Sequence, residues 1–351
     1  MGLTATTIAA LAAEESVAYG PSSTESAGFF LDYAWLIPLL PALSFAGILL
    51  FGKRMRRQGS ELGIAAVAGS FVLAVGAVVT WIGHRDDAHE GVQAVHRTVG
   101  WLRSGGVEYD AGILLDGLSV MMLFVVTAVS LLVHVYSTDY VSGDARYTHF
   151  FAFLSLFTAA MLFFVLSDNL LQMIVGWELV GVCSFVLIGH WWEHKENSDA
   201  ALKAFFTNRV GDIGLLVGVS ILFFAAGGTF DTLTLSERIN AGEVSHTALV
   251  AASLCLLAAV MSKSGQFILH TWLPDAMAGP TPVSALIHAA TMVVAGIYMV
   301  ARLYPVFWEG MSIGGSSINV LALVGAVTLL FGGMLAFTQN DIKKVLAYST
   351  V

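Results

Sequence analysis

The chain has 351 residues, of which 57% are hydrophobic and only 12% charged, with a formal net charge of -9. Soluble domains carry about 25% charged residues, so this composition excludes a soluble globular enzyme and describes an integral membrane protein with many spans. No basic tract points to nucleic acid, and the 35 glycines suit membrane helices, where glycine is enriched.

A span needs roughly 20 apolar residues. Residues 1–30 hold a short apolar patch without a basic leader. They read as an extension at the interface rather than a cleaved signal peptide. The first span is predicted over 33–51, followed by the basic cluster Lys53, Arg54, Arg56 and Arg57, and the second over 62–83. Residues 84–110 are polar and of mixed charge and suggest a small hairpin. Further spans are predicted over 112–136, 148–166, 169–190 and 206–227. The loop 228–245 reads as a short amphipathic surface helix. The seventh span begins near 246 and is interrupted at Lys263, giving helical halves near 246–262 and 266–277. The eighth covers 281–303, with Pro280 and Pro282 at its first turn, where proline is tolerated. A ninth covers 317–337, and a tenth begins after Asp341. The chain stops inside that tenth run, so the natural protein is expected to be longer.

Arginine and lysine are enriched in inner loops. With the N-terminus outside, nine basic residues fall inside and five outside, among them Arg302. Trp191, Trp192 and Trp272 read as interfacial anchors. Lys343 and Lys344, just before the last span, read as topogenic. Cys183 and Cys255 lie in apolar runs and read as small buried side chains rather than a disulfide. There is no CxxC, HExxH or phosphate loop.

Charges at membrane depth are costly and usually functional. Glu178 sits inside an apolar run, and a carboxylate balanced between desolvation and a nearby cation can take up and release protons. The alternative is a neutral packing carboxylate. Lys263 closes the first half of the broken helix. Burial lowers a lysine pKa, so it too can titrate, and broken helices are common sites for ions in transporters. The alternative is a lysine that snorkels to water. His288, with a reference pKa near 6.5, suits the next relay position, or is a neutral histidine bonded to its own helix. His270 and Asp275 line an inner half-channel or cap the broken segment. Arg209 and Asp212 are three apart and share a helix face, as a coupling pair or an ordinary surface pair. Lys203 admits protons or meets lipid head groups. Asp116 reads as a helix-start carboxylate, and His134 and Asp139 as interfacial.

The segments "SDNLLQMIVGWELVG", "HVYSTDY", "ENSDAALKAFFTNRVGDIG", "KSGQFILHTWLPDAMAGPTPVSALIHAATMVVAGIY" and "NDIKKVLAYST" resemble the chain-L type subunit of respiratory complex I, the NADH:quinone oxidoreductase. The wider family includes Mrp-type antiporter subunits. The resemblance is strong over 112–351 and weak over 30–111. It implies an all-α polytopic transmembrane protein built of two inverted five-helix repeats. The first would be 148–303, with its broken helix near 263–277, and the second would start in 304–351 and be incomplete. Residues 31–111 would form the first two helices and outer loop, and 112–147 the third helix and inner loop. The family's glutamate falls on Glu178, its broken-helix lysine on Lys263, its histidine on His288 and its acidic residue on Asp212, beside Arg209. Where the family often has proline this chain has Ile268, so the bend is expected at Gly265.

The implied function is proton translocation in the bacterial inner membrane. No cofactor is expected in this chain, and FMN, iron–sulfur clusters and quinone would belong to partner subunits; the implied neighbours are other membrane-arm subunits, above all an antiporter-like one, and lipids. The rivals are the large subunit of an Mrp-type sodium/proton antiporter, a pumping subunit of a hydrogenase-type complex, and a structural subunit with vestigial charges.

Overall fold

The computed structural model describes residues 27–87, 94–104, 107–289, 291–312 and 319–351. Most of the predicted N-terminal extension lies outside the described residues. Its end, a short helix α1 (Phe29–Asp32), packs on the third helix and the hairpin.

Among the described residues, eight helical segments are long and apolar enough to cross a membrane. In chain order the helices are α2 (Leu36–Phe51), α3 (Ser60–Asp87), α4 (Gly117–Tyr140), α5 (Tyr147–Leu166), α6 (Leu170–Ile188), α7 (Lys195–Ala225), α8 (Thr232–Asn240) and α9 (His246–Lys263). After a broken segment come α10 (Trp272–Asp275), α11 (Thr281–Ala289) and α12 (Met292–Arg302), then α13 (Tyr304–Met311), α14 (Val320–Ala336) and α15 (Ile342–Thr350). Helix α5 is the best-buried span, enclosed by α2, α4 and α6.

The segment before α4 forms an antiparallel hairpin, β1 (Val95–Ser104) and β2 (Val107–Leu115), with a bulge between Gly100 and Leu102. This sets the start of α4 five residues later than the apolar run suggests. Strand β2 carries the apolar residues 112–115, and Asp116 then caps the helix. Its carboxylate accepts from the Ser119 amide at 2.9 Å while the Ser119 hydroxyl accepts from the Asp116 amide at 2.8 Å.

Helix α7, by contrast, begins earlier than expected. Its 31 residues span about 46 Å, well beyond a hydrocarbon core of about 30 Å. Its polar first turns therefore extend past the hydrocarbon core. Helix α8 forms where the amphipathic loop helix is predicted, capped by Asp231, whose carboxylate accepts from the Thr234 amide at 2.6 Å.

The second half of the broken helix is shorter than predicted. Ser264–Thr271 is irregular, and helical turns resume only over Trp272–Ala278. Gly265 takes φ +60° and Ile268 φ +77°, so two residues bend the chain where one was expected. The eighth span is likewise two segments, α11 and α12, meeting at Thr291, whose hydroxyl donates to the Leu286 carbonyl at 2.5 Å.

Two interfacial expectations are corrected by burial. His134 is fully enclosed between α4 and α5, its Nδ1 2.8 Å from the Ser130 carbonyl. Trp272 is also fully buried, donating to the Ser262 carbonyl at 2.8 Å. That carbonyl, at the helix break, also accepts from the Gly265 amide at 3.3 Å. Arg302 is buried at the end of α12 and forms two bonds to Asp116, at 2.6 and 3.1 Å. Both cysteines are free.

Candidate functional site: a charge cluster midway through the bundle

Three helices bring the central charges together. Glu178 lies midway along α6, Arg209 and Asp212 lie one turn apart on α7, and Lys263 ends α9. Helices α7 and α9 pack backbone to backbone. A Cβ at Gly211 would lie 1.8 Å from the Ser262 hydroxyl, and one at Gly214 would lie 2.4 Å from the Cys255 carbonyl. Small residues permit this approach in membrane helices, and here they set Asp212 beside the end of α9.

Arg209 is the hub. Its guanidinium donates to Glu178 Oε2 at 2.5 Å and lies 3.7 Å from Asp212 Oδ2. Asp212 accepts from the Trp177 indole at 2.7 Å. The Trp177 carbonyl in turn accepts from Lys263 Nζ at 3.1 Å, and the amine lies 5.0 Å from the centre of the Trp177 ring. A Cβ at Gly181 would come within 3.0 Å of Lys263 Nζ, so glycine at that position leaves the amine its place. Lys263 is completely buried, whereas the Glu178 and Arg209 side chains are 24% and 39% exposed. One edge of the cluster thus faces outward at mid-span, while its lysine is sealed inside. Among the described residues no ion pair joins Glu178 directly to Lys263.

The other predicted residues lie elsewhere. Lys203 pairs with Asp275 at 2.6 Å near the end of the bundle opposite the hairpin. That contact links α7 to α10 and gives both residues a partner. Lys343 donates to the Met277 and Gly279 carbonyls at 2.6 and 3.0 Å, so it caps the broken segment, a role beyond topology. His270 packs its ring against Phe331. Its Nδ1, both ring nitrogens of His288, Asn208 Oδ1, Gln266 Oε1 and Ser284 Oγ are buried without a protein hydrogen-bond partner among the described residues. Buried polar atoms normally have protein or water partners, so these are positions that water can serve.

Trp177 was missed by the sequence reading, although it adjoins Glu178. Tryptophan looks like a packing residue until its indole and carbonyl are seen to contact opposite charges. Among the described residues no group of three His, Cys, Asp or Glu side chains is placed to hold a metal ion.

The sequence model described as "NADH:quinone oxidoreductase/Mrp antiporter, TM" matches residues 167–351, which include every residue of this cluster. The chain belongs to the NADH:quinone oxidoreductase/Mrp antiporter transmembrane family. A second model, for the N-terminal part of complex I chain 5, matches residues 101–151. Similar curated proteins include NAD(P)H-quinone oxidoreductase chain 5 of Synechocystis, 44% identical over 91% of this chain and 46% of that protein. Another is F(420)H(2) dehydrogenase subunit L of Methanosarcina mazei, 42% identical over 91% of this chain and 48% of that protein. The chain therefore spans about half the length of these relatives. Among solved structures, the Mrp complex of a Dietzia species superposes with a TM-score of 0.74 at 26% identity, covering 91% of this chain and 33% of that one. An archaeal membrane-bound sulfane sulfur reductase has the same fold, with a TM-score of 0.74 at 22% identity over 90% of this chain and 49% of that one. The chain is homologous to chain 5-type subunits of this antiporter-like family.

Proposed function

We propose that this chain is a proton-translocating membrane-arm subunit of an NADH:quinone oxidoreductase. The observation that carries the reading is the network Glu178–Arg209–Asp212–Trp177–Lys263 midway through the bundle. It places two carboxylates and two cations across three helices, all linked through one arginine and one tryptophan. Protonation of Glu178 weakens its hold on Arg209, and Arg209 then leans toward Asp212. That shift alters the field at Lys263, which passes its proton toward His288 and takes up a replacement from the side of His270 and the Lys203–Asp275 pair. The unmatched polar atoms of Asn208, Gln266, His270, Ser284 and His288 supply sites for the water that such transfers need.

The energetics are reasonable. Moving a unit charge across 100 mV costs about 2.3 kcal/mol, and about two pKa units at 1.36 kcal/mol each supply that amount.

In this reading residues 148–303 are the first of two inverted repeats, the N-terminus is outside, and the membrane is the bacterial inner membrane. FMN, iron–sulfur clusters and quinone belong to other subunits. The similar proteins are named for different electron donors, NAD(P)H and F420H2, which agrees with a donor site outside this chain. Similarity to an Mrp complex supports a second reading, the large subunit of a sodium/proton antiporter.

The test is NADH-driven proton uptake in membrane vesicles carrying Glu178→Gln, normalised to assembled complex. Lost uptake with assembly intact supports the relay, and unchanged uptake removes Glu178 from it. A cation-dependent pH gradient, with no NADH-driven uptake even in the parent, selects the antiporter.

A further inference from the structure

A cavity of about 500 Å³ opens between α2, α5 and α6 beneath the hairpin. Its walls are apolar side chains of membrane-spanning segments, including Leu39 on α2, Ala160 on α5 and Val175 on α6. It therefore opens at hydrocarbon depth. Its roof is the hairpin, and that roof is fixed. The Gln172 side chain bonds both backbone groups of Gly112, accepting at 3.1 Å and donating at 2.8 Å. The recess is thus part of the fold and does not depend on loop movement.

Charge at the rim selects the occupant. At the rim Arg97 and Asp32 pair at 2.9 Å, each partly exposed, and the half-exposed Trp35 stands beside the opening as an interfacial aromatic does. A guanidinium and a carboxylate side by side match the phosphate and ammonium of a zwitterionic headgroup. They match a purely anionic head less well, because Asp32 would repel it.

We propose that this cavity is a binding site for a zwitterionic phospholipid, with an acyl chain between α2, α5 and α6 and its headgroup on the Arg97–Asp32 pair. Bilayer tails are as apolar as leucine, so the chain gains little by leaving the bulk lipid. Selectivity then rests on the rim charges and on the fixed shape of the recess.

The experiment uses the assembled complex in nanodiscs containing phosphatidylethanolamine with a photoreactive group near the end of one acyl chain. Cross-linked peptides are mapped by mass spectrometry. The proposal expects labelling concentrated in 156–166 and 175–179, competed by unlabelled phosphatidylethanolamine. Arg97→Gln should reduce it several-fold, and Ala160→Phe, which fills the recess, should abolish it. Should Ala160→Phe fail to assemble, Ala42→Phe on the facing wall gives the same reading. Labelling spread evenly over all outward-facing helices would overturn the proposal. So would labelling indifferent to the filling variants, equal labelling by an anionic phosphatidylglycerol probe, or displacement of the probe by quinone or by a cross-linked partner helix.

Discussion

Lys263 donates its hydrogen bond to the main-chain carbonyl of Trp177, the residue preceding Glu178, and not to the glutamate. The acidic partner of Glu178's neighbourhood is Asp212, reached through the Trp177 indole and Arg209. Lysine and glutamate are therefore linked through three residues, Trp177, Asp212 and Arg209. Either charge can change without breaking a direct bond to the other.

Trp177→Phe tests that arrangement. It keeps the ring and the carbonyl but removes the indole donor to Asp212. A hydrogen bond to a charged group contributes about 1.5–3 kcal/mol, so we expect a loss of thermal stability of that order. Proton uptake per turnover should fall several-fold, with assembly retained. Unchanged uptake would show that Asp212 needs no indole to act.

The Asp116–Arg302 pair ties the start of α4 to the end of α12. Asp116→Asn can still cap α4 through Ser119, but it leaves Arg302 buried without its counter-charge. Breaking a buried pair costs about 3–5 kcal/mol, and we expect poor assembly. The double substitution Asp116→Asn with Arg302→Met should recover much of the loss. Thermal unfolding of the single and double variants measures both terms, and equal damage in the two would place the effect in packing.

His96 joins the hairpin to the turn between α5 and α6, with Nε2 3.2 Å from Asp168 and 3.9 Å from Asp231. The hydrogen bond to Asp168 raises its pKa above the ordinary 6.5, against the effect of burial, with help from the charges of Asp231, Asp168 and Asp110. Stability from a raised histidine is fully present below the unfolded value and is lost as pH rises through the folded one. Hairpin docking should therefore loosen as pH rises above neutrality. Amide hydrogen exchange over 95–99 and 111–115, corrected for intrinsic rates, should speed up by a few-fold there. His96→Gln should remove the dependence, and persistence of the effect in that variant would assign it to another group.

Ile268 holds φ +77° on an exposed, β-branched side chain. The left-handed conformation costs roughly 1–2 kcal/mol for such a residue, while glycine adds about 0.5–1 kcal/mol of chain entropy to the unfolded state. Ile268→Gly should thus be neutral or stabilising by up to about 1 kcal/mol in thermal unfolding. Ile268→Pro should destabilise, because proline is confined to φ near -65°. A marked loss with glycine would mean that the side chain makes a contact the assembled protein needs.

The long apolar runs made the spans legible, because length and hydropathy alone define a crossing helix. Glu178, Lys263, Arg209 and Asp212 stood out as charges in or beside those runs, and the fold gathers them. What the sequence could not show was lateral neighbourhood. Lys203 and Asp275 are far apart in sequence, as are Asp116 and Arg302, and no local period reports such pairings. His134 and Trp272 were misplaced for a related reason. Both lie in runs that resemble interfacial sequence, yet neighbouring helices cover them. The 112–115 run was assigned to a helix because apolar character does not distinguish a strand from the first turn of a span.

Gly211, Gly214 and Gly218 bring α7 so close to α9 that an added Cβ would meet the Ser262 side chain, the Cys255 carbonyl and the Leu256 side chain within 3.0 Å. Mechanically the two helices are one beam, and a tilt of either carries Asp212 and Lys263 together. The irregular stretch Ser264–Thr271 beyond the lysine is tied to other helices, by the Ser264 hydroxyl on the Val293 carbonyl and the Phe267 amide on Thr328. The half beyond it is held by Asp275 on Lys203 and by Lys343 on the Met277 and Gly279 carbonyls. The broken segment is therefore a strut braced on α7, and a shift of it pulls on the same helix that carries Arg209 and Asp212.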